Sequence, residues 1–215
     1  LAGPLLSRFK ALKLPLPGGD QIGRRPIDVH LDGLKQLGAK IEKTNGGYQI
    51  SGNLKPSQVF LQEMSVTATE TVILAAALVE GTTIINAAAS EPEIENLAQM
   101  LNQMGAKIEG AGSPTIKIIG KSQLGGAKIK VIPDRIEAAT LLMAGLITKG
   151  KITISNCISD HLGNLIPRLK QMGADIEIND SKISASTKNL KAINIDTRPY
   201  PGFSTDLQSP MAALM

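Results

Sequence analysis

Leu37-Gly38-Ala39-Lys40-Ile41-Glu42 returns in the same chain as Met104-Gly105-Ala106-Lys107-Ile108-Glu109, and again as Met172-Gly173-Ala174-Asp175-Ile176-Glu177. The glycines lie 67 residues apart (38 to 105) and then 68 (105 to 173). A second register agrees. Val79-Glu80-Gly81-Thr82-Thr83-Ile84 pairs with Thr148-Lys149-Gly150-Lys151-Ile152-Thr153, an offset of 69 (81 to 150). Two independent motifs repeating at one period signal a duplicated supersecondary unit. Each copy of the first motif reads as the end of a helix, a glycine stop and the opening of a strand.

Working outward from Gly105 gives the whole unit. Residues 67–80 are rich in helix formers, apolar nearly all round, and followed by Gly81 as a natural stop, which predicts a largely buried helix. Thr82–Ile85 is a β-branched run and reads as a strand. Ser90-Glu91-Pro92 predicts a second helix, with Ser90 as cap and Pro92 in its first turn. Ile94, Leu97, Met100, Leu101 and Met104 then fall on one face. Strands at Lys107–Glu109 and Thr115–Ile119 follow, joined by a turn-rich segment. With a strand ahead of the first helix, the unit is β-α-β-α-β-β and the fold class α/β (α+β). In the next copy Asp134-Arg135 opens a helix to Lys149, and His161–Met172 forms the second helix. Asp175–Ile178 with Ser181–Ser184 forms the hairpin, and Asp206 opens a fourth copy. In the first copy Asn45-Gly46-Gly47 turns a hairpin between Lys40–Lys43 and Tyr48–Ser51.

Composition narrows the function classes. Among 215 residues there are three Phe, two Tyr and no Trp, so the core is aliphatic and base stacking is nearly excluded. Lys+Arg 23 against Asp+Glu 19 gives a net charge of +4, scattered rather than clustered, which suits small anionic ligands at least as well as a polyanion. Cys157 is the one cysteine, so no internal disulfide forms and a reducing cytoplasm is the expected compartment. His30 and His161 stand far apart and suggest no metal site. No apolar run is long enough for a membrane span. The chain opens without Met and stops in an apolar stretch, and is read as an internal fragment.

The first copy departs from the template. Its two helices are joined through Leu16-Pro17-Gly18-Gly19-Asp20-Gln21-Ile22-Gly23-Arg24-Arg25-Pro26-Ile27-Asp28. Glycines, prolines, an acid and a double Arg make either an ordinary surface turn before a capped helix or a loop that closes over an anion. No Gly-Lys-Ser/Thr follows, so a Walker-type phosphate cradle is excluded.

This segment resembles the mobile catalytic loop of the UDP-N-acetylglucosamine enolpyruvyl transferase family, whose pattern is Leu-Pro-Gly-Gly-Cys-x-Ile-Gly-x-Arg-Pro-x-Asp. The resemblance continues through Ser65–Glu70, Glu80–Ile85, Ser90–Ile94, Pro133–Glu137 and Thr205–Gln208, and so covers essentially the whole chain. It implies a two-domain, inside-out α/β barrel of β-α-β-α-β-β units. Residues 1–132 would be the second and third repeats of the first domain, and 133–215 the first repeat and the start of the second repeat of the second domain. The implied reaction moves the enolpyruvyl group of phosphoenolpyruvate to the 3′-hydroxyl of UDP-N-acetylglucosamine by addition and elimination, releasing phosphate. This is the first committed step of peptidoglycan synthesis. The resemblance implies no metal or redox cofactor, and neither nucleic acid nor membrane as a partner.

Residue by residue, the resemblance implies that Asp20 is the general acid at the loop tip, where the family usually has Cys. An ordinary Asp carboxyl is protonated only about one time in a thousand at neutral pH, so the site must raise its pKa or work at lower pH. Arg25 matches the loop arginine that meets the nucleotide and phosphate-bearing ligands. Pro26, Ile27, Asp28 and Val29 match the segment lining the uridine through main-chain groups. Ser65 and Val66 match residues that meet the diphosphate at a helix start. Thr67 stands where the family commonly has Gly, and Glu63 where some members carry a cation. Asp206 matches the base near the sugar hydroxyl; as the repeat-equivalent of Asp134 and Ser65 it also reads as a helix cap. Asp134 and Glu91 read as caps or structural acids, His30 and His161 as helix-face residues, and Cys157 as a buried, inert residue of the Ile152–Ile158 strand. A shikimate-phosphate enolpyruvyl transferase of the same fold lacks the Pro-Gly-Gly loop. An RNA-end phosphate cyclase would need a nucleotidylated His motif. A non-catalytic ligand-binding module is the third alternative.

Overall fold

The structure, a computed structural model, describes residues 1–19, 23 and 26–215. It divides into two compact units, Leu1–Lys130 and Val131–Met215, two residues before the boundary expected at 132/133. The first unit opens with α1 (Ala2–Phe9), β1 (Ala11–Pro15), α2 (Asp28–Gln36), β2 (Lys40–Thr44) and β3 (Gly47–Ser51). Next come β4 (Gln58–Phe60), α3 (Val66–Ala76), β5 (Gly81–Asn86), α4 (Pro92–Gln103), β6 (Lys107–Glu109) and β7 (Thr115–Gly120). The second unit holds α5 (Arg135–Ile147), β8 (Lys151–Ser155), α6 (Leu165–Met172), β9 (Asp175–Asn179), β10 (Lys182–Ser186) and α7 (Gln208–Leu214).

The repeat is visible in the pairing. Each copy closes an antiparallel hairpin whose second strand lies in the middle of its sheet, giving the orders β1-β3-β2, β4-β5-β7-β6 and β8-β10-β9. In the second copy β4 adds in parallel to β5. The opening motif is one helix stop made three times. Gly38, Gly105 and Gly173 have φ of 96°, 109° and 106°, where a side chain is strained. The following N–H reaches back over the last turn each time: Ala39 to the Leu34 carbonyl, Ala106 to Leu101, and Ala174 to Leu169, at 3.0, 3.1 and 3.0 Å. These bonds satisfy carbonyls that a helix end leaves open and turn the chain into its strand.

The cores are aliphatic, as the composition requires. In the first unit α3 lies against α1, α2 and α4, with Val72, Ile73, Ala75 and Ala76 wholly buried. Gly3 lets α1 approach the Thr71 carbonyl, and the buried Ser7 hydroxyl donates to the Ala75 carbonyl at 2.8 Å. Leu34, Ile50, Ile85, Ile116 and Ile118 complete this core. The second has Leu142, Met143, Leu169, Ile183 and Phe203.

Several boundaries differ from expectation. The helix expected over 67–80 ends at Ala76, and Gly81, with φ 116°, begins a strand instead. The cause is β7. Gly120 packs its Cα against the Ala76 and Val79 carbonyls, and Lys121 N–H donates to the Ala77 carbonyl at 3.1 Å, so the last turn is drawn into contact with the sheet. Ser90 does not cap α4. Glu91 holds that position without a side-chain cap bond. The helix expected to reach Lys149 stops at Ile147, where Thr148 Oγ1 donates back to the Ala144 and Gly145 carbonyls and Lys149 takes a positive φ of 55°. The helix expected over His161–Met172 is split into a 3-10 turn (Ser159–Leu162) and α6, with Gly163 and Asn164 between them. The Asn164 side-chain amide is engaged at 3.0 Å by the Pro201 carbonyl.

Candidate functional site

In the first unit three helix starts meet. α2 begins directly after Pro26 and Ile27, with Ile27 as its N-cap residue and no side-chain cap. Pro26 and Asp28 are exposed, whereas Ile27 and Val29 turn inward and pack on the core. The apolar side chains thus anchor a segment whose alternate residues, Pro26 and Asp28, remain exposed. Ser65 caps α3: its Oγ accepts from Ala68 N–H at 3.3 Å, as a serine before a helix is expected to. Val66 is the first residue of α3 and packs partly on the core.

Hydroxyls tie these starts together. Thr69, fully buried, donates through Oγ1 to the Ser65 carbonyl at 2.8 Å and accepts from Ala89 N–H at 3.0 Å, which fixes the segment entering α4 against the first turn of α3. His30 Nε2 lies 2.9 Å from Thr67 Oγ1, linking the first turns of α2 and α3. Burial holds the His30 imidazole below its ordinary pKa, the positive chain terminus adds to this, and the Ile27 carbonyl opposes it. Glu70, one turn into α3 and half-buried, has its carboxyl pushed up by burial and by the charge of Glu93 in the first turn of α4. The site is therefore a surface where helix N-termini gather, with the half-buried Glu70 one turn into α3.

Asp20 and Arg25 lie outside the described residues. Asp206 belongs to the second unit, in a 3-10 turn (Thr205–Leu207) ahead of α7. It does not cap that turn. Ser204 does, its Oγ accepting from Asp206 N–H at 3.3 Å and meeting Asp206 Oδ2 at 3.2 Å. The side chain of Asp206 is thereby released from the capping that Asp134 performs for Ile136 and Glu137 at the start of α5. A pocket of about 240 Å³ beside it is lined by Arg135, His161, Tyr200, Ser204 and Leu207, among others, with the Arg135 guanidinium 5.6 Å from the Tyr200 ring centre. His161, carried on the 3-10 turn Ser159–Leu162, faces this cavity. Cys157 lies past the end of β8, not within a strand, and is buried with its thiol toward the Ser181 carbonyl at 3.5 Å.

Reading the residues one by one missed the pairings. His30 and Thr67 are 37 residues apart, and Glu70 and Glu93 sit on different helices. The available signal was positional. Each lies within about a turn of a helix start that the repeat brings together.

The chain belongs to the EPSP synthase (3-phosphoshikimate 1-carboxyvinyltransferase) family, whose model it matches over residues 1–215. It is 48% identical over 220 residues to UDP-N-acetylglucosamine 1-carboxyvinyltransferase 2 of Prochlorococcus marinus, covering 99% of this chain and 51% of that protein. It is 45% identical over 218 residues to UDP-N-acetylglucosamine 1-carboxyvinyltransferase of Finegoldia magna, covering 99% and 52%. The chain spans about half the length of the curated relatives it matches. Its fold is similar to that of the enolpyruvyl transferase NikO from Streptomyces tendae, with a TM-score of 0.81 at 24% identity over 98% of this chain and 52% of that one. EPSP synthase from Acinetobacter baumannii gives 0.60 at 24% identity over 97% and 49%. Among the described residues no helix is long and apolar enough to cross a membrane.

Proposed function

We propose that this chain is part of a cytoplasmic UDP-N-acetylglucosamine 1-carboxyvinyltransferase, which transfers the enolpyruvyl group of phosphoenolpyruvate to the sugar 3′-hydroxyl and releases phosphate for peptidoglycan synthesis. In this reading Leu1–Lys130 carries the second and third repeats of the first domain, and Val131–Met215 opens the second. The observation that carries it is the meeting of the α2 and α3 starts. Pro26–Val29 presents backbone to the uridine, and Ser65-Val66 presents a hydroxyl and a helix N-terminus to the diphosphate, where N–H groups and partial positive charge favour anions. In this reading Arg25 meets the phosphates and Asp20 the enol carbon.

The chemistry divides as follows. Asp20 donates a proton to C3 of phosphoenolpyruvate, and Asp206 accepts the proton of the 3′-hydroxyl as its oxygen attacks C2. Phosphate then leaves the tetrahedral intermediate as C3 loses a proton and the double bond re-forms. Closure of the Pro/Gly loop excludes water and strengthens the Arg25 contact.

Isothermal titration of the complete protein tests the reading. UDP-N-acetylglucosamine binds and shikimate 3-phosphate does not. Ser65→Ala weakens the former by about ten- to a hundredfold, the worth of one hydrogen bond to a charged group. Preference for shikimate 3-phosphate, or binding of neither ligand, would overturn it.

A further inference from the structure

The hydrogen bond between His30 and Thr67 needs a hydroxyl at position 67, which a Gly there does not offer. His30 stands in the first turn of α2, directly after Pro26–Val29, and Thr67 in the first turn of α3, directly after Ser65-Val66. The two atoms meet at 2.9 Å, with Thr67 exposed and His30 half-buried, so the bond lies at the surface shared by both helix starts. Farther along, α2 is already set against α3 by close packing. Gly33 approaches Val72 so nearly that an added Cβ would come within 2.6 Å of Cγ2. That contact fixes the middle of α2, and at its first turn the His30–Thr67 bond adds to the core packing of Ile27 and Val29.

We propose that His30 and Thr67 are positioning residues that set the separation of the α2 and α3 starts, and so the distance between the surface that receives a nucleoside and the one that receives its diphosphate. The proposal rests on the reading of these starts as the UDP-N-acetylglucosamine site. A ligand held at both ends is sensitive to that distance, since displacement of one contact by a fraction of an ångström weakens the other. A ligand bound elsewhere, such as phosphoenolpyruvate, is not.

Steady-state kinetics on the complete protein separates the outcomes. Thr67→Val keeps the branched shape and removes the hydrogen bond. Its KM for UDP-N-acetylglucosamine rises about tenfold, the range of one neutral hydrogen bond, while KM for phosphoenolpyruvate and kcat stay within about twofold. Thr67→Ser restores the wild-type value. If Thr67→Val proves too unstable, His30→Asn supplies the same readout from the other side of the bond. A melting temperature lowered in these variants with KM unmoved makes the pair merely structural and overturns the proposal. Wild-type protein that does not turn over UDP-N-acetylglucosamine at all overturns the functional reading, and this proposal with it.

Discussion

The Thr69 hydroxyl and the Ala89 backbone N–H, 20 residues apart, are joined at 3.0 Å inside the first unit, and through them the entry to α4 is fixed to the start of α3. The same hydroxyl donates to the Ser65 carbonyl at 2.8 Å, so both of its hydrogen-bonding roles are used where no water reaches. Thr69→Val keeps the shape and leaves Ala89 N–H buried without a partner. The expected cost is about 2 kcal/mol, a fall of roughly 4–8 °C in Tm for a chain of this size. Thr69→Ser keeps most of the stability. Thermal melting of the three proteins checks both statements, and a Thr69→Val variant as stable as wild type would remove Thr69 as the link.

Two glycines separate the effects of backbone conformation and of space. Gly105 has a φ of 109° with nothing nearer to an added Cβ than Lys121 Nζ at 3.9 Å, so Gly105→Ala costs only conformational strain, about 1–2 kcal/mol. Gly120 has no unusual φ, but an added Cβ would collide with the Ala76 and Val79 carbonyls, which cannot yield without moving α3 or β7. Gly120→Ala therefore costs more, about 3 kcal/mol or above, as overpacking of a buried backbone contact does. Chemical denaturation ranks the two. The reverse order would mean that the end of α3 is not held by β7.

These examples show where sequence reading succeeds. Gly105 announces itself, because a helix stop with positive φ is local chemistry repeated three times, and the hairpin after each stop was legible from its own turn residues. Gly120 does not. Its role is to admit carbonyls from a helix more than forty residues earlier, and for the same reason the true end of α3 was invisible. Ser65 was readable as a cap because a serine ahead of a helical run supplies the acceptor that the first turn lacks. The alternative reading of Asp206 as a cap does not hold, because the repeat predicts the position of the turn but not which of Ser204 and Asp206 wins it. The His30–Thr67 bond arises from packing of two helices, and neither residue carries a local sign of it.

Glu70 makes the stability depend on pH. Its carboxyl is raised above the ordinary value, first by burial and then by Glu93, so folding penalises the ionised form. Below the ordinary carboxylate pKa both folded and unfolded chains are protonated and no penalty exists. The penalty grows as pH rises through the folded-state value and is complete above it. Glu70→Gln therefore raises Tm at pH 7, and the gain shrinks as pH falls toward the ordinary carboxylate range. Melting curves between pH 4 and pH 8 check this. A gain independent of pH would assign the effect to packing.

Asp20 lies outside the described residues, and its behaviour follows from side-chain chemistry in the proposed reaction. A general acid must hold its proton at the working pH, and an ordinary carboxyl loses its own near pH 4 whereas a thiol keeps it to about 8.5. Activity that needs protonated Asp20 falls as pH rises past its pKa, so the optimum of the complete protein is displaced toward acid, and Asp20→Cys moves it upward. The same exchange changes reactivity toward epoxides. A thiolate attacks the epoxide carbon of fosfomycin, forming a carbon–sulfur bond as the ring carbon–oxygen bond breaks, and a carboxylate is a far weaker nucleophile. Wild-type protein incubated with fosfomycin keeps its mass, since Cys157 is buried with its thiol toward the Ser181 carbonyl. Asp20→Cys gains one adduct. Intact-mass analysis reads both outcomes, and an adduct on the wild-type peptide containing Asp20 would show that this carboxylate is far more nucleophilic than its chemistry allows here.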